Sequence, residues 1–170
     1  MDQRWQVRVQ QQDFDVGAEL AALQSATTGA IASFLGVARD LSDAFAVQDI
    51  TLEHYPGMTE HSLAAIVERA RARFALVDAR VIHRVGRLRP ADRIVLVAAA
   101  STHRDQAFDA CRFIVDYLKT EAPFWKRENG PSGARWVEAR ASGAARYRRW
   151  PEASHPSQID RAGGRRPGPS

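Results

Sequence analysis

The amino-acid sequence predicts an α+β domain, because strand-like and helix-like segments are mixed along the chain without a strict strand–helix alternation. Three segments carry apolar residues three and four positions apart, as amphipathic helices do. Several shorter segments alternate apolar with polar residues or are almost wholly apolar, which is typical of strands. With 170 residues, 45% of them hydrophobic, the chain can bury one core.

The first half of the chain predicts one helix and three strands. The strands are predicted at residues 5–9, 30–37 and 48–55. Asp15 begins the helix, which carries apolar residues at helical spacing: Val16, Leu20 and Leu23. The polar-leaning segment 41–46 predicts a loop, and Pro56 and Gly57 end the third strand.

The part of the chain after Gly57 predicts two longer helices. The first follows Thr59 and Ser62, and five apolar residues form its core-facing stripe: Leu63, Ile66, Val67, Ala70 and Phe74. The second carries a stripe of Ala107, Cys111, Ile114, Val115 and Leu118. We expect Thr102 to cap this helix, with Asp105 completing a capping box, and Pro123 to stop it.

Strands are predicted between and after these two helices. The predicted segments are residues 79–85 and 93–102, joined through a turn at Pro90, and residues 124–128 and 135–139, joined through a turn at 129–133. Residues 151–170 are rich in Pro, Gly, Ser and Arg and predict disorder. The expected organisation is therefore one domain over residues 1–150 and a basic tail over 151–170.

The net charge of +4 belongs mainly to the C-terminal end. Residues 135–170 contain eight arginines and three acidic residues, a balance of +5, which leaves −1 for residues 1–134. A nucleic-acid surface is usually spread over a face of the fold. A nearly neutral body therefore argues against a nucleic-acid partner, although contact through the tail remains an alternative.

Several classes of site and location are not predicted. The first 14 residues do not resemble a secretory signal, and the longest apolar run, residues 94–100, is too short to span a membrane. With one cysteine, Cys111, an internal disulfide is impossible, and its place on an apolar stripe predicts a core thiol. The sequence has neither metal-ligand spacing nor a glycine-rich phosphate loop. We expect a cytoplasmic protein with no membrane contact, no metal and no cofactor.

Lysine usage singles out two residues. Of the 24 basic residues, 22 are arginine, and the two lysines, Lys119 and Lys126, lie close together in the sequence. Arginine stays protonated, whereas lysine offers a compact amine that can titrate. These two positions are therefore candidates for chemistry, with a solvated basic hairpin around Lys126 as the alternative.

Three further residues are candidates for anion binding. His103 and Arg104 stand at a predicted helix start, where unpaired N–H groups and the helix dipole favour an anion. Arg39 follows a buried strand, a position from which side chains often enter a cleft. An ordinary surface pair at the helix start remains the alternative for His103 and Arg104.

Several segments resemble the large, catalytic subunit family of molybdopterin synthase. They are residues 51–59 (TLEHYPGMT), 81–86 (VIHRVG), 116–120 (DYLKT), 122–128 (APFWKRE) and 135–139 (RWVEA). The resemblance runs from about residue 14 to residue 150, in order. It implies an α/β hammerhead-like domain that forms a homodimer. Each subunit of that dimer binds a small ubiquitin-like partner whose C-terminal Gly-Gly carries a thiocarboxylate, giving a heterotetramer.

The resemblance also implies an activity and its residues. The activity is sulfur transfer from that thiocarboxylate to cyclic pyranopterin monophosphate, which makes molybdopterin during molybdenum cofactor biosynthesis. Lys119 and Lys126 match the two active-site lysines. The matched substrate-contacting positions are Val37, Ala38, Arg39, His103, Arg104, Lys119, Lys126, Arg127 and Glu128, together with Arg140, which is implied to act in its own or the neighbouring subunit.

Two hypotheses from other classes stay open. One is a binding module whose basic C-terminal segment contacts nucleic acid, with an affinity that falls steeply with salt. The other is a non-catalytic scaffold that binds the small partner without forming product. Loss of nucleic-acid binding on deleting residues 151–170 tests the first, and an assay for sulfurated pterin tests the second.

Overall fold

The computed structural model describes residues 5–42, 45–137 and 150. Its elements in chain order are β1 (Trp5–Gln10), α1 (Val16–Ala21), β2 (Ala30–Val37), β3 (Leu41–Ser42), β4 (Phe45–Ala46), β5 (Asp49–His54), α2 (Met58–Arg73), β6 (Leu76–Arg84), β7 (Gly86–Leu88), β8 (Arg93–Ser101), α3 (Arg104–Glu121), β9 (Phe124–Gly130) and β10 (Gly133–Val137). This arrangement confirms the predicted α+β class with three helices.

The main sheet has four strands in the order β1-β6-β8-β2. Strand β1 pairs with β6 in parallel, whereas β6–β8 and β8–β2 are antiparallel, so the sheet is mixed. The central strands are covered on both faces, which explains why their apolar residues run continuously instead of alternating. The last six residues of β8 are all buried.

The two long helices cover one face of this sheet and form the largest core. The predicted stripe of α2 is buried throughout, from Leu63 to Phe74. In α3, four of the five predicted stripe residues are buried, and Val115 is half-buried. Trp150 packs into the same core against Phe74 and Phe113.

Residues before, within and after α1 cover the opposite face of the main sheet. Phe14 packs on Ile82 and Leu96, and Leu23 packs on two alanines of β8. The chain enters β2 through Gly29, whose N–H donates to the Ser101 carbonyl at 3.0 Å. A Cβ at Gly29 would lie 2.1 Å from the Thr102 carbonyl oxygen. This close approach therefore requires glycine.

The second sheet has the order β10-β9-β5-β7 and is antiparallel. Asp49 joins three of its strands, because it accepts hydrogen bonds from Arg87 of β7 at 2.7 Å and from Asn129 of β9 at 2.6 Å. The Arg87 hydrogen bond is the main cause that lowers the pKa of Asp49. On the other face of β5, Ile50 and Leu52 pack with Leu88 in a smaller core.

The start of α3 differs from the prediction, because His103 occupies the N-cap position and Thr102 lies outside the helix. His103 forms no side-chain capping bond, so the predicted capping box with Asp105 was wrong. The hydroxyl of Ser101, not Thr102, accepts a hydrogen bond from the His103 N–H at 3.4 Å. Two residues in a bend thus join β8 to the helix, and the second of them, His103, has an extended backbone.

Other boundaries differ by small amounts. The segment predicted as a loop at 41–46 contributes two short paired strands, β3 and β4. The turn at residues 89–92 is present, but it is preceded by strand β7, which the prediction missed. Strand β10 (Gly133–Val137) begins two residues earlier than predicted, and residues 138 and 139 of the predicted strand lie outside the described residues. The expected tail at 151–170 lies outside the described residues, so the division at residue 150 stays a prediction.

Neither a membrane-crossing helix nor a metal cluster is present among the described residues. No helix in that part of the chain is both long and apolar enough to cross a membrane. Residues 5–42, 45–137 and 150 contain no group of three or more His, Cys, Asp or Glu placed to hold a metal ion.

Candidate active site

A cavity of about 200 Å³ lies between one end of the main sheet and the second sheet. It is lined by ten residues from five strands and their extensions: Val37, Ala38, Arg39, Ile50, Leu52, His83, Ile94, Phe124, Lys126 and Glu128. Five of these are predicted site residues: Val37, Ala38, Arg39, Lys126 and Glu128. The fold therefore brings together segments that are far apart in the sequence.

An irregularity at the end of β2 directs its last residues to the cavity. The pairing of β2 with β8 shifts register between Gly36 and Val37. A Cβ at Gly36 would lie 2.7 Å from Val95, so the strand crosses its neighbour closely there. Beyond the shift, the Ala38 N–H donates to the Asp92 carbonyl at 2.9 Å. This bond anchors Ala38 in the small core and leaves the adjacent Arg39 exposed at the cavity.

A buried carboxylate holds Lys126. The Lys126 Nζ lies 2.7 Å from Glu128 Oε1, and Arg135 donates from Nε and a terminal nitrogen to Glu128 Oε2 at 3.0 and 2.9 Å. Glu128 is fully buried, whereas the side chains of Lys126 and Arg135 are each 38% exposed. A buried carboxylate needs such partners, because an unpaired buried charge is costly. The position of Glu128 therefore indicates that it fixes Lys126.

The charge of the cavity is positive. Lys126 and Arg135 share one carboxylate, and Arg39 adds a third cation at the lining. Apolar side chains, including Leu52, Ile94 and Phe124, form much of the remaining wall. Cations in a partly dry setting interact strongly with an anion. The cavity is thus suited to a ligand that combines an apolar ring with a negative charge.

His83 is a cavity residue that the sequence reasoning did not single out. It is buried at the end of β6, and its ring stacks on Phe124 with the centroids 3.8 Å apart and the planes 16° from parallel. Burial lowers the pKa of His83 to about 4, against the opposing effect of its hydrogen bond to the Arg84 carbonyl. The imidazole is therefore neutral at physiological pH.

Lys119 lies next to this cavity but does not line it. It is an exposed residue in the last turn of α3, and its Nζ lies 5.4 Å from the centroid of the Phe34 ring. Phe34 belongs to β2, the strand that continues into Val37 and Arg39. Among the described residues, no carboxylate pairs with Lys119. The two lysines therefore flank the end of β2 in different electrostatic settings.

Beside Lys119, an apolar groove of about 230 Å³ separates α3 from β2. It is lined by Ala32, Ser33, Phe34, Phe108, Cys111, Arg112 and Val115. Cys111 is buried, and burial raises the pKa of its thiol to about 12. Its thiol contacts the Val97 carbonyl at 3.7 Å. The prediction of a core thiol is confirmed.

His103 and Arg104 lie at the opposite end of α3. Fifteen helical positions separate Arg104 from Lys119, which corresponds to roughly 22 Å at 1.5 Å per residue. The side chain of Arg104 is 84% exposed, and its partner among the described residues is Asp105, at 3.7 Å. Within one chain, the fold does not bring these two residues to the cavity that contains Lys126.

Arg127 points away from the cavity, unlike its neighbours Lys126 and Glu128. Successive side chains of a strand face opposite sides, and the guanidinium of Arg127 lies 5.8 Å from the Trp136 ring on the other face. Arg127 therefore does not line this cavity within one chain, and its predicted contact with the substrate stays a prediction. Arg140 lies outside the described residues.

Comparisons with known proteins agree over most of the chain. The family model described as MoaE protein matches residues 9–121. The molybdopterin synthase catalytic subunit of Ralstonia nicotianae is 58% identical over 146 residues, which cover 85% of this chain and 83% of that protein. Its counterpart in Pseudomonas aeruginosa is 51% identical over 148 residues, which cover 86% of this chain and 99% of that protein.

A solved structure shows the same fold. The molybdopterin biosynthesis MoaE protein from Burkholderia ambifaria superposes with a TM-score of 0.74 at 50% identity, covering 84% of this chain and 95% of that one. Family match, sequence identity and fold lead to one conclusion: the chain belongs to the MoaE protein family, the catalytic subunits of molybdopterin synthase.

Proposed function

We propose that the chain transfers sulfur from the C-terminal thiocarboxylate of a small ubiquitin-like partner to cyclic pyranopterin monophosphate, forming molybdopterin. Two partner termini each give up one sulfur to the pterin, and each is left as a carboxylate whose new oxygen comes from the substrate or from water. The observation that carries this proposal is the cationic cavity in which buried Glu128 fixes Lys126 beside an apolar wall. A cyclic pterin phosphate has the matching combination of a flat ring and an anionic group.

Lys126 and Arg39 hold the anionic substrate. Both line the cavity, and the Lys126 Nζ lies 2.7 Å from the carboxylate of Glu128, which is fully buried. Preorganised cations lower the free energy of a negatively charged intermediate without the cost of reorienting water. Lys126 therefore stabilises the substrate or an acyl intermediate formed during transfer.

Lys119 engages the thiocarboxylate. Its amine is exposed and, among the described residues, has no carboxylate partner that an incoming anion would need to displace. The adjacent apolar groove offers a path to the end of β2. A terminal diglycine suits such a path, because glycine allows two backbones to approach closely.

His103 and Arg104 serve the cavity of a second copy of the chain. Neither residue lines the cavity that contains Lys126, and Arg104 lies roughly 22 Å along α3 from Lys119, so these groups do not reach a ligand in the cavity of their own chain. They remain exposed at a helix start, where a phosphate is favoured. A homodimer would allow each copy to supply these groups to the other.

Sulfur supplied by the partner removes the need for a protein thiol. Cys111 is buried and its thiol stays protonated near neutral pH, since its pKa is raised to about 12. A thiolate is the reactive form of cysteine. The chain's single cysteine is therefore unsuited to carry sulfur.

The proposal is tested by incubating the full chain with thiocarboxylated partner and cyclic pyranopterin monophosphate and measuring products by mass. We expect a dithiolene product with two added sulfurs, and no product with partner that ends in an ordinary carboxylate. Tight partner binding without sulfurated pterin would contradict the proposal and identify a non-catalytic scaffold.

A further inference from the structure

The ring of His83 is held rigidly at the wall of the cavity. Phe124 stacks on it at 3.8 Å between centroids, and Nδ1 lies 2.8 Å from the Arg84 carbonyl oxygen. Both ring contacts come from the folded chain itself, so the plane and the rotation of the imidazole are fixed before any ligand binds.

These contacts determine which nitrogen carries the proton. A carbonyl oxygen only accepts hydrogen bonds, so Nδ1 must be the protonated nitrogen of the neutral ring. Nε2 then has an available lone pair. Among the described residues Nε2 has no hydrogen-bond partner, and His83 lines the cavity beside Phe124. The cavity thus contains a neutral acceptor as well as its cations.

We propose that Nε2 of His83 accepts a hydrogen bond from a ring N–H or hydroxyl group of the bound pterin and so sets the orientation of the ring in the cavity. This inference rests on the proposed function. It makes His83 a substrate-positioning residue, distinct from the cations that attract the phosphate. A cation at this position could not accept such a bond, and it would repel Lys126.

The lining of the cavity favours the pterin over the partner's tail as the donor. His83 lines the same cavity as Arg39 and Lys126, the cations proposed to hold the anionic substrate. The groove beside Lys119, proposed as the path of the tail, is lined by a different set of residues that does not include His83. The position of His83 deep between the sheets therefore assigns it to the ring.

Two substitutions separate the role of Nε2 from that of Nδ1. His83→Asn can keep a donor to the Arg84 carbonyl but has no acceptor at the Nε2 position. His83→Gln can place its amide oxygen near the Nε2 position. His61→Asn is the matched control, because His61 is an exposed residue of α2. All are compared as full chains by calorimetric titration with cyclic pyranopterin monophosphate, with thermal unfolding as a check on folding.

We expect His83→Asn to weaken pterin binding about fivefold to tenfold, the effect of one lost hydrogen bond. His83→Gln should stay within about twofold of the wild type, and His61→Asn should be unchanged. In turnover, KM for the pterin rises in His83→Asn while KM for the thiocarboxylated partner does not. Equal loss in His83→Asn and His83→Gln would overturn the proposal in favour of a packing role, and a raised KM for the partner would assign the donor to its tail.

A measurement on the unsubstituted protein avoids any folding defect. In the chain labelled with ¹⁵N-histidine, the resonance of the unprotonated His83 Nε2 should move upfield when the pterin is added, because the nitrogen becomes a hydrogen-bond acceptor. Saturating pterin that binds without moving this resonance would overturn the role of His83 alone. Absence of pterin binding to the wild-type chain would overturn the proposed function and this inference together.

Discussion

The two lysines of the chain lie on either side of the end of β2, yet their surroundings differ. Lys126 is half-buried in a strand and paired with a fully buried carboxylate that also binds Arg135. Lys119 is exposed in the last turn of a helix, over an aromatic ring, with no carboxylate partner among the described residues. A lysine held by a buried carboxylate is suited to hold a fixed charge, whereas one without such a partner is suited to meet an incoming group.

The same contrast separates the two ends of α3. Its C-terminal end places Lys119 next to the cavity, while its N-terminal end carries His103 and Arg104 into solvent. Clusters of basic residues in a sequence therefore do not define one site. The fold assigns each cation to a cavity wall, a groove or an exposed surface.

The largest expected effect comes from removing the amine of Lys119. Lys119→Ala should lower the rate of molybdopterin formation about 100-fold. Lys126→Ala should lower it only about tenfold, because Arg39 lines the same cavity and still offers the substrate a positive charge. Single-turnover mass analysis measures both rates. Asp109→Ala, an exposed position of α3, is the control. Equal losses in the two lysine variants would remove the distinction between them.

Glu128→Gln tests whether the carboxylate fixes Lys126. The substitution keeps the shape but removes the charge that binds two cations, so we expect the free energy of unfolding to fall by about 2 kcal/mol. The rate should fall about as far as in Lys126→Ala, and the double variant should be little worse than either. Denaturant titration and the product assay give the two values. Glu53→Gln, an exposed carboxylate of β5, should change neither, and additive losses in the double variant would contradict the coupling.

The third prediction concerns the free energy of unfolding at low pH, which depends on the buried ring of His83. His83 has a pKa of about 4 in the folded chain, whereas an unfolded chain binds the proton near pH 6.5. Acidification through this window therefore favours the unfolded chain, by about 2 to 3 kcal/mol between pH 7 and pH 4.5. The contribution is constant above pH 7. His83→Gln should lose this part of the pH dependence in denaturant titrations, and an unchanged difference between the two pH values would contradict the buried neutral ring.

The smallest expected effect comes from the groove beside Lys119. Cys111→Ala removes a buried thiol that takes no part in the proposed transfer, so the rate of product formation should stay within about twofold of the wild type. The free energy of unfolding should fall by about 1 kcal/mol for the lost packing. A loss of product comparable with that of Lys119→Ala would show that sulfur passes through the chain's own thiol.

Local periodicity predicted much of the fold because helical stripes and buried runs are local signals. The stripe of α2 and most of that of α3 were placed correctly. Strand β7 was missed because three residues cannot show a period, and it is defined by its pairing with β5. The start of α3 was misplaced by one residue because the backbone is still extended at His103, which therefore occupies the N-cap position instead of Thr102.

The candidate site was only partly accessible to such reasoning. Resemblance to a family placed Lys126, Glu128 and Arg39 in one pocket, and the fold brings them together. Arg127 was grouped with them, although strand alternation could have separated it from Lys126. His83 gave no signal, because it ends a run of buried residues and its stacking partner Phe124 is distant in the sequence. The role proposed for His103 requires a second copy of the chain, which the structure of one chain does not include.

The most direct test compares Lys119→Arg with Lys126→Arg in single-turnover formation of molybdopterin from thiocarboxylated partner and cyclic pterin. Each change keeps a positive charge but replaces a compact amine with a guanidinium. We expect Lys126→Arg to retain about a third or more of the rate, since Glu128 can still bind a cation, and Lys119→Arg to fall about 100-fold. Product formation by Lys119→Arg at the wild-type rate would contradict the proposed role of the amine.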